Sequence, residues 1–169
     1  FRRVLFRSSN DAPDLRPPSL VDTIDSLNEW IYTDINNGVY RCGFATTQDA
    51  YTQACRSLFA ALDRAEALLS SQPYLAGDVL TEADVRLFPT LVRFDAVYYG
   101  LFKCNIRHLW DYPSLSAYVR RLYVIPGFGD TSDIEAFKRG YYLGIKRLNP
   151  NGIVPIGPDG PGMDFTRIQ

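Results

Sequence analysis

The 169-residue sequence carries a formal net charge of −1, with 46% hydrophobic and 22% charged residues. That length and composition suit one globular domain with a real core, and the charge balance gives no electrostatic case for nucleic acid or an anionic membrane surface as a partner. No apolar run approaches the ~18 residues of a membrane span, and Cys42, Cys55 and Cys104, which lack metal-ligand spacing, read as free thiols of a reducing, cytoplasmic compartment with no metal site.

The chain opens on FRRVLFRS, residues 1–8, which lacks the long apolar stretch of a signal peptide. It reads as the in-frame translation of a sequencing adapter, a cloning or assembly scar. Setting aside its Arg2, Arg3 and Arg7 takes the net charge from −1 to −4. The one methionine is Met163, so the natural chain is expected to begin upstream. After a Pro-rich lead-in, DAPDLRPP, a helix is expected past Pro18, with Ser19 as a candidate cap. Leu20, Ile24, Leu27, Ile31 and Ile35 follow at steps of three or four, one face of a helix. Asn36-Asn37-Gly38 is expected to stop it, because these residues accept left-handed backbone. A second helix, 47–71, carries the stripe Tyr51, Cys55, Leu58, Leu62, Ala65 and Leu69, and Pro73 and Gly77 bracket the turn after it. The third helix is LTEADVRLFPTLVRFDAVYYG, 80–100. A fourth, 113–124, begins on a proline suited to a first helical turn and ends before Pro126-Gly127. A fifth spans 132–139. Beyond it, LNPNGIVPIGPDGPGMDF is dense in Pro and Gly and reads as an extended tail laid over the surface, or as disorder. With no alternating strand runs, the expected fold is an all-α bundle.

At the start of the third helix, Thr81 takes the N-cap and Asp84 the third helical position, the spacing of a capping box. Leu80 and Val85 are placed to form a hydrophobic staple across the same turn. Two devices on one turn favour a structural over a catalytic role for Asp84. Pro89 removes a helix-interior N–H at a cost of ~3 kcal/mol and should bend the helix; a packing reason and a cavity-shaping reason are equally open. Arg86 and Arg93 share a helix face and read as surface or ion-pair residues rather than anion clamps. His108, the single histidine, reads as a surface or partly packed residue rather than a catalytic one.

Four blocks carry a family resemblance: LNEWIYTDINNGVYRCGFA (27–45), YLAGDVLTEADVRLFPTLVRFDAVYYGLFKCN (74–105), DYPSLSAYVRRLYVIPG (111–127) and NPNGIVPIGP (149–158). With the Thr-x-x-Asp box, they resemble the S-glutathionyl-hydroquinone reductases, the Xi class of glutathione transferases, over almost all of 14–158. The resemblance implies that 9–158 is the helical C-terminal domain, 159–169 a tail, and that a thioredoxin-like N-terminal domain, absent from this sequence, belongs in cis. In the family that domain carries a Cys-Pro-Trp site and binds glutathione, the co-substrate. Its thiolate attacks the sulfur of a glutathionyl-hydroquinone, hydroquinone leaves, and glutathione clears the mixed disulfide to give oxidised glutathione. No cysteine here stands in a Cys-Pro context, so no catalytic nucleophile is assigned, and this domain alone is expected to be inactive. The implied contribution of the domain is the aromatic pocket, with Tyr40 in NNGVYRCGFA, Tyr98 in RFDAVYYG and Tyr141 in KRGYYLG as substrate-binding residues. Phenols of pKa ~10 stay neutral near pH 7 and both donate and accept hydrogen bonds. A homodimer acting on a glutathionylated hydroquinone is implied as well. The sequence departs from the family around Tyr141, where Gly140, Gly144 and Ile145 stand in place of frequent histidines, so the electrostatics there should differ. Two alternatives stay open: a non-catalytic helical interaction module, and an omega-like thiol transferase with a broader pocket.

Overall fold

A computed structural model of the chain describes residues 13–159 and 165; the expected scar at 1–8 and most of the tail at 159–169 lie outside the described residues. The described chain is an all-α bundle without a sheet, its one β-bridge joining Tyr74 and Gly77. Among the described residues no helix is long and apolar enough to cross a membrane.

A 3-10 turn, Pro18–Leu20, leads into α1 (Val21–Trp30), whose N-cap is Leu20 without a side-chain bond, so Ser19 does not cap it. The expected stop at Asn36-Asn37-Gly38 does not occur. The helix widens into a π-turn, Ile31–Asn36, and continues as α2 (Asn37–Phe44). Gly38 stays helical and serves close packing: a Cβ there would lie 3.3 Å from Leu58 Cδ1 of the neighbouring helix. The conformational penalty of a helical glycine, about 1 kcal/mol, is offset by the close α2–α3 contact it permits.

Helix α3 (Gln48–Leu69) starts where Thr47 accepts the Ala50 N–H at 3.2 Å. Its stripe of Cys55, Leu58, Leu62, Ala65 and Leu69 is buried. The turn after it uses Gly77 at φ 114°, a left-handed conformation that favours glycine. Helix α4 (Glu82–Arg93) opens on Thr81 and runs into a second π-turn, Phe94–Tyr98, and one further turn, α5 (Tyr99–Leu101). Two side chains reach carbonyls at Pro89 and one turn before it. Asn36 donates to the Arg86 carbonyl at 3.0 Å, and Arg93 donates to the Pro89 carbonyl at 2.6 Å. Val85 forms no buried staple with Leu80: it is 37% exposed and lines a surface hollow.

Helix α6 (Pro113–Tyr123) is capped from α3, where the Glu66 carboxylate accepts the Ser114 and Leu115 N–H groups at 2.8 and 2.7 Å. Helix α7 (Ile134–Gly144) runs past its expected end at residue 139, through Gly140 to Gly144. It packs on the second π-turn. The core lies between α3, α4 and α6 and includes Ile31, Ile35, Leu58, Leu62, Leu87 and Tyr118, each fully buried. The described tail has no regular structure and returns to α7, where Lys138 donates to the Ile156 carbonyl at 3.2 Å and Asn149 to the Tyr142 carbonyl at 2.7 Å.

Candidate functional site

Three elements far apart in sequence bring Tyr40, Tyr98 and Tyr141 together. Tyr40 stands on α2, Tyr98 ends the second π-turn, and Tyr141 stands on α7. A π-turn inserts an extra residue and rotates the helix beyond it. Both helices that supply Tyr40 and Tyr98 contain one, and so a plain 3.6-residue periodicity does not predict where these side chains face. Phe102, fully buried, lies within ring-packing distance of all three: 5.2 Å from Tyr40, 5.3 Å from Tyr98 and 6.1 Å from Tyr141, centroid to centroid. Gly43 makes room for that ring, since a Cβ there would collide with Phe102 Cγ.

The three hydroxyls form a chain. Tyr141 sits in the middle, 2.6 Å from the Tyr40 hydroxyl and 2.9 Å from that of Tyr98. Two hydrogen bonds use two of the three protons. Tyr98 is 3% exposed and Tyr40 39%. An unmet buried donor costs ~1–3 kcal/mol, so the buried Tyr98 hydroxyl donates to Tyr141, while either hydroxyl can donate in the Tyr40–Tyr141 pair. The remaining proton is then on Tyr40 or Tyr141, both of which line the neighbouring cleft. Burial, then the bond to Tyr141, pushes the Tyr98 phenol far above the ordinary tyrosine value. The same causes raise Tyr40, opposed first by the Tyr98 hydroxyl and least by the positive charge of Arg93. Both phenols are therefore neutral proton carriers at neutral pH, not phenolates.

The chain opens onto a cleft of about 460 Å³ lined by Tyr40, Arg93, Ala136, Phe137, Gly140, Tyr141 and Ile145. Its size and its mixture of apolar wall and few polar groups suit a small aromatic ligand. A larger hollow of about 530 Å³, between the end of α2 and the start of α3, has Arg41, Phe44, Thr46 and Gln53 among its walls. Among the described residues the chain of three phenols opens on the tyrosine cleft and not on this hollow.

The other residues marked in the sequence lie elsewhere. Thr81 and Asp84 form the capping pair at the head of α4, with Asp84 Oδ2 accepting the Thr81 N–H at 2.8 Å and its hydroxyl at 3.0 Å. Asp84 Oδ1 also accepts the Leu75 N–H at 2.9 Å and the Tyr118 hydroxyl at 2.8 Å, all in the core. The Asp84 N–H reaches the Thr81 carbonyl at 3.1 Å. Cys42, Cys55 and Cys104 are free and buried. A hydrogen bond with Cys42, then burial, pushes the Cys104 thiol up, and burial raises Cys55. His108 is stacked between Tyr99 and Trp110 at 3.7 and 4.0 Å, with Nδ1 3.4 Å from Asp95. Burial raises the Asp95 carboxyl even though it accepts the Leu109 N–H at 2.7 Å. Arg86 pairs with Glu82 as expected of a surface ion pair. Arg93 makes no such pair among the described residues; its guanidinium lies 3.8 Å over the Phe137 ring. Phe102, Phe137 and Arg93 escape sequence reasoning as site residues because nothing local distinguishes them from core or surface positions.

Residues 48–121 match the family described as Glutathione S-transferase, C-terminal domain. The chain is 46% identical over 147 residues to the glutathionyl-hydroquinone reductase YqjG of Escherichia coli, covering 87% of this chain and 45% of the relative. It is 49% identical over 148 residues to the glutathionyl-hydroquinone reductase PcpF of Sphingobium chlorophenolicum, covering 88% and 47%. The glutathione-bound structure of YqjG superposes with a TM-score of 0.87 at 44% identity, over 90% of this chain and 50% of that one. The chain thus spans about half the length of the curated relatives it matches.

Proposed function

This chain carries the helical C-terminal domain of the glutathionyl-hydroquinone reductase family, the Xi class of glutathione transferases, and from that premise we propose that its protein reduces glutathionyl-hydroquinones to hydroquinones, with this domain forming the aromatic pocket. The observation that carries the reading is the hydroxyl chain from Tyr98 through Tyr141 to Tyr40, opening on the cleft.

The thiolate belongs to a thioredoxin-like domain upstream in cis, which also binds glutathione. It forms a bond to the glutathionyl sulfur, the carbon–sulfur bond breaks with its electron pair on the ring carbon, and that carbon takes up a proton. A second glutathione then displaces the enzyme thiolate from the mixed disulfide, and oxidised glutathione leaves. The ring carbon is reduced and the two glutathione sulfurs are oxidised, so the electrons balance. The tyrosines of this domain hold the ring oxygens. Tyr40 or Tyr141, whichever keeps its proton for the cleft, is placed to donate to a ring oxygen or supply the proton. The buried Tyr98 hydroxyl anchors the chain by its bond to Tyr141. Assembly as a cytoplasmic homodimer belongs to the same proposal.

The test uses the full-length protein and the glutathionyl conjugate of a plain hydroquinone. Tyr40→Phe and Tyr98→Phe should each lower kcat by about 10²-fold with the melting temperature little changed. Replacement of the upstream Cys-Pro cysteine by Ser should abolish turnover. Activity surviving that replacement removes the thiol route, and unchanged turnover in both tyrosine variants removes the pocket assignment. A protein inert towards every conjugate is an interaction module, and one that accepts a broad range of disulfides but no conjugate is a thiol transferase.

A further inference from the structure

Arg93 lines the tyrosine cleft, yet the reductase chemistry gives it no task. It is the last residue of α4, half-buried beside the cleft. Two contacts fix its guanidinium: Nη1 donates to the Pro89 carbonyl at 2.6 Å, and Cζ lies 3.8 Å from the centre of the Phe137 ring. Arg93 has no carboxylate within ion-pair distance among the described residues, as is true of Arg56, Arg64, Arg121, Arg139 and Arg147, but Arg93 is the one of these that lines the tyrosine cleft. The remaining walls, Ala136, Phe137, Gly140 and Ile145, carry no charge.

A guanidinium has five N–H donors in a rigid plane. One of them is spent on Pro89, and the guanidinium makes no other hydrogen bond among the described residues. Held this way, the plane is pre-organised to take a carboxylate edge-on through paired hydrogen bonds. A cation against an apolar wall bears a desolvation cost that a ligand bringing the opposite charge would offset. Resting on the reductase reading above, we propose that Arg93 is a specificity-determining residue that binds a carboxylate on the substrate, and that the site favours conjugates of dihydroxybenzoates over neutral hydroquinones. A carboxylate could come from the aromatic ring or from the peptide part of the conjugate. Tyr40 and Tyr141 share the wall with Arg93, and a ring whose oxygen meets Tyr40 has its substituents within the same cleft, so the ring is the assigned source.

The full-length protein is assayed with the glutathionyl conjugates of 2,5-dihydroxybenzoate and of methylhydroquinone. The unmutated protein should show the higher kcat/KM for the carboxylated conjugate. Arg93→Gln should lower that value about tenfold or more, chiefly through KM, and leave the methylhydroquinone value within about twofold. Arg93→Lys, which keeps the charge and loses the fork, should recover part of the loss. Equal losses on both conjugates would place the contact on the peptide carboxylates or make the residue merely structural, and would overturn the assignment. No change in Arg93→Gln overturns it as well. If neither conjugate turns over, the reductase reading fails by itself. Calorimetric binding of free 2,5-dihydroxybenzoate then decides the matter: weakening in Arg93→Gln supports the carboxylate site, and equal affinity for both proteins ends it.

Discussion

The Asp84 carboxylate accepts four hydrogen bonds in a site closed to water: the Leu75 and Thr81 N–H groups, the Thr81 hydroxyl and the Tyr118 hydroxyl. It therefore does more than cap α4. It ties the turn before the helix and α6 behind it to the same two oxygens. Burial, then the charge of Asp84, holds the Tyr118 phenol well above its ordinary range, so it remains a donor. Asp84→Ala removes the acceptor and strands several buried donors, each costing ~1–3 kcal/mol. A loss of about 3–5 kcal/mol in a denaturant titration is expected, of the size seen when one partner of a buried charged network is removed. A loss under about 1 kcal/mol would show that water or neighbouring groups replace the carboxylate, and that the turn does not depend on it. Tyr118→Phe, which removes a single donor, should cost about 1 kcal/mol.

Helix starts and faces were largely legible in the sequence, and the reasons are local. Thr47 and Thr81 stand at N-caps, Pro113 opens α6, and the stripe of α3 recurs at helical steps. The features that were not legible depend on contacts between helices. The α1–α2 rod passes through Asn36-Asn37-Gly38 because Gly38 is needed small against Leu58, and no local rule separates that use of glycine from a helix stop. The two π-turns are invisible to a 3.6-residue period for the same reason: packing stabilises the extra residue, not its own sequence. The grouping of Tyr40, Tyr98 and Tyr141 came from a family likeness and could not come from spacing, since they lie 43 to 101 positions apart. Two glycines in helices test this packing account with opposite signs. Gly43→Ala drives a Cβ into the fully buried Phe102 ring and should destabilise by about 1–3 kcal/mol. Gly140→Ala, in α7 with nothing within 4 Å of the new methyl, should stabilise by about 0.5–1 kcal/mol. Thermal or chemical unfolding of the pair reads both, and a Gly43→Ala variant as stable as the parent would mean that the Phe102 hub is loosely packed.

At the scale of the molecule, the tyrosine cleft and the cysteines differ in access: the cleft is open, whereas Cys42, Cys55 and Cys104 are buried and are not among its walls. Residue-resolved alkylation of the native full-length protein should therefore label Cys42, Cys55 and Cys104 slowly and together, at the rate of unfolding, while the thiol of the proposed upstream domain should react at once. Rapid labelling of any of the three would return it to candidacy as a reacting group. Because the buried Tyr98 hydroxyl gives its proton inward to Tyr141, one proton of the three is always left facing the cleft, on Tyr40 or on Tyr141. A hydroxyl that keeps its proton offers a donor to any guest. An oxygen with a lone pair is thus welcomed whether or not it carries hydrogen, and a methoxy group should be received there as readily as a free phenol.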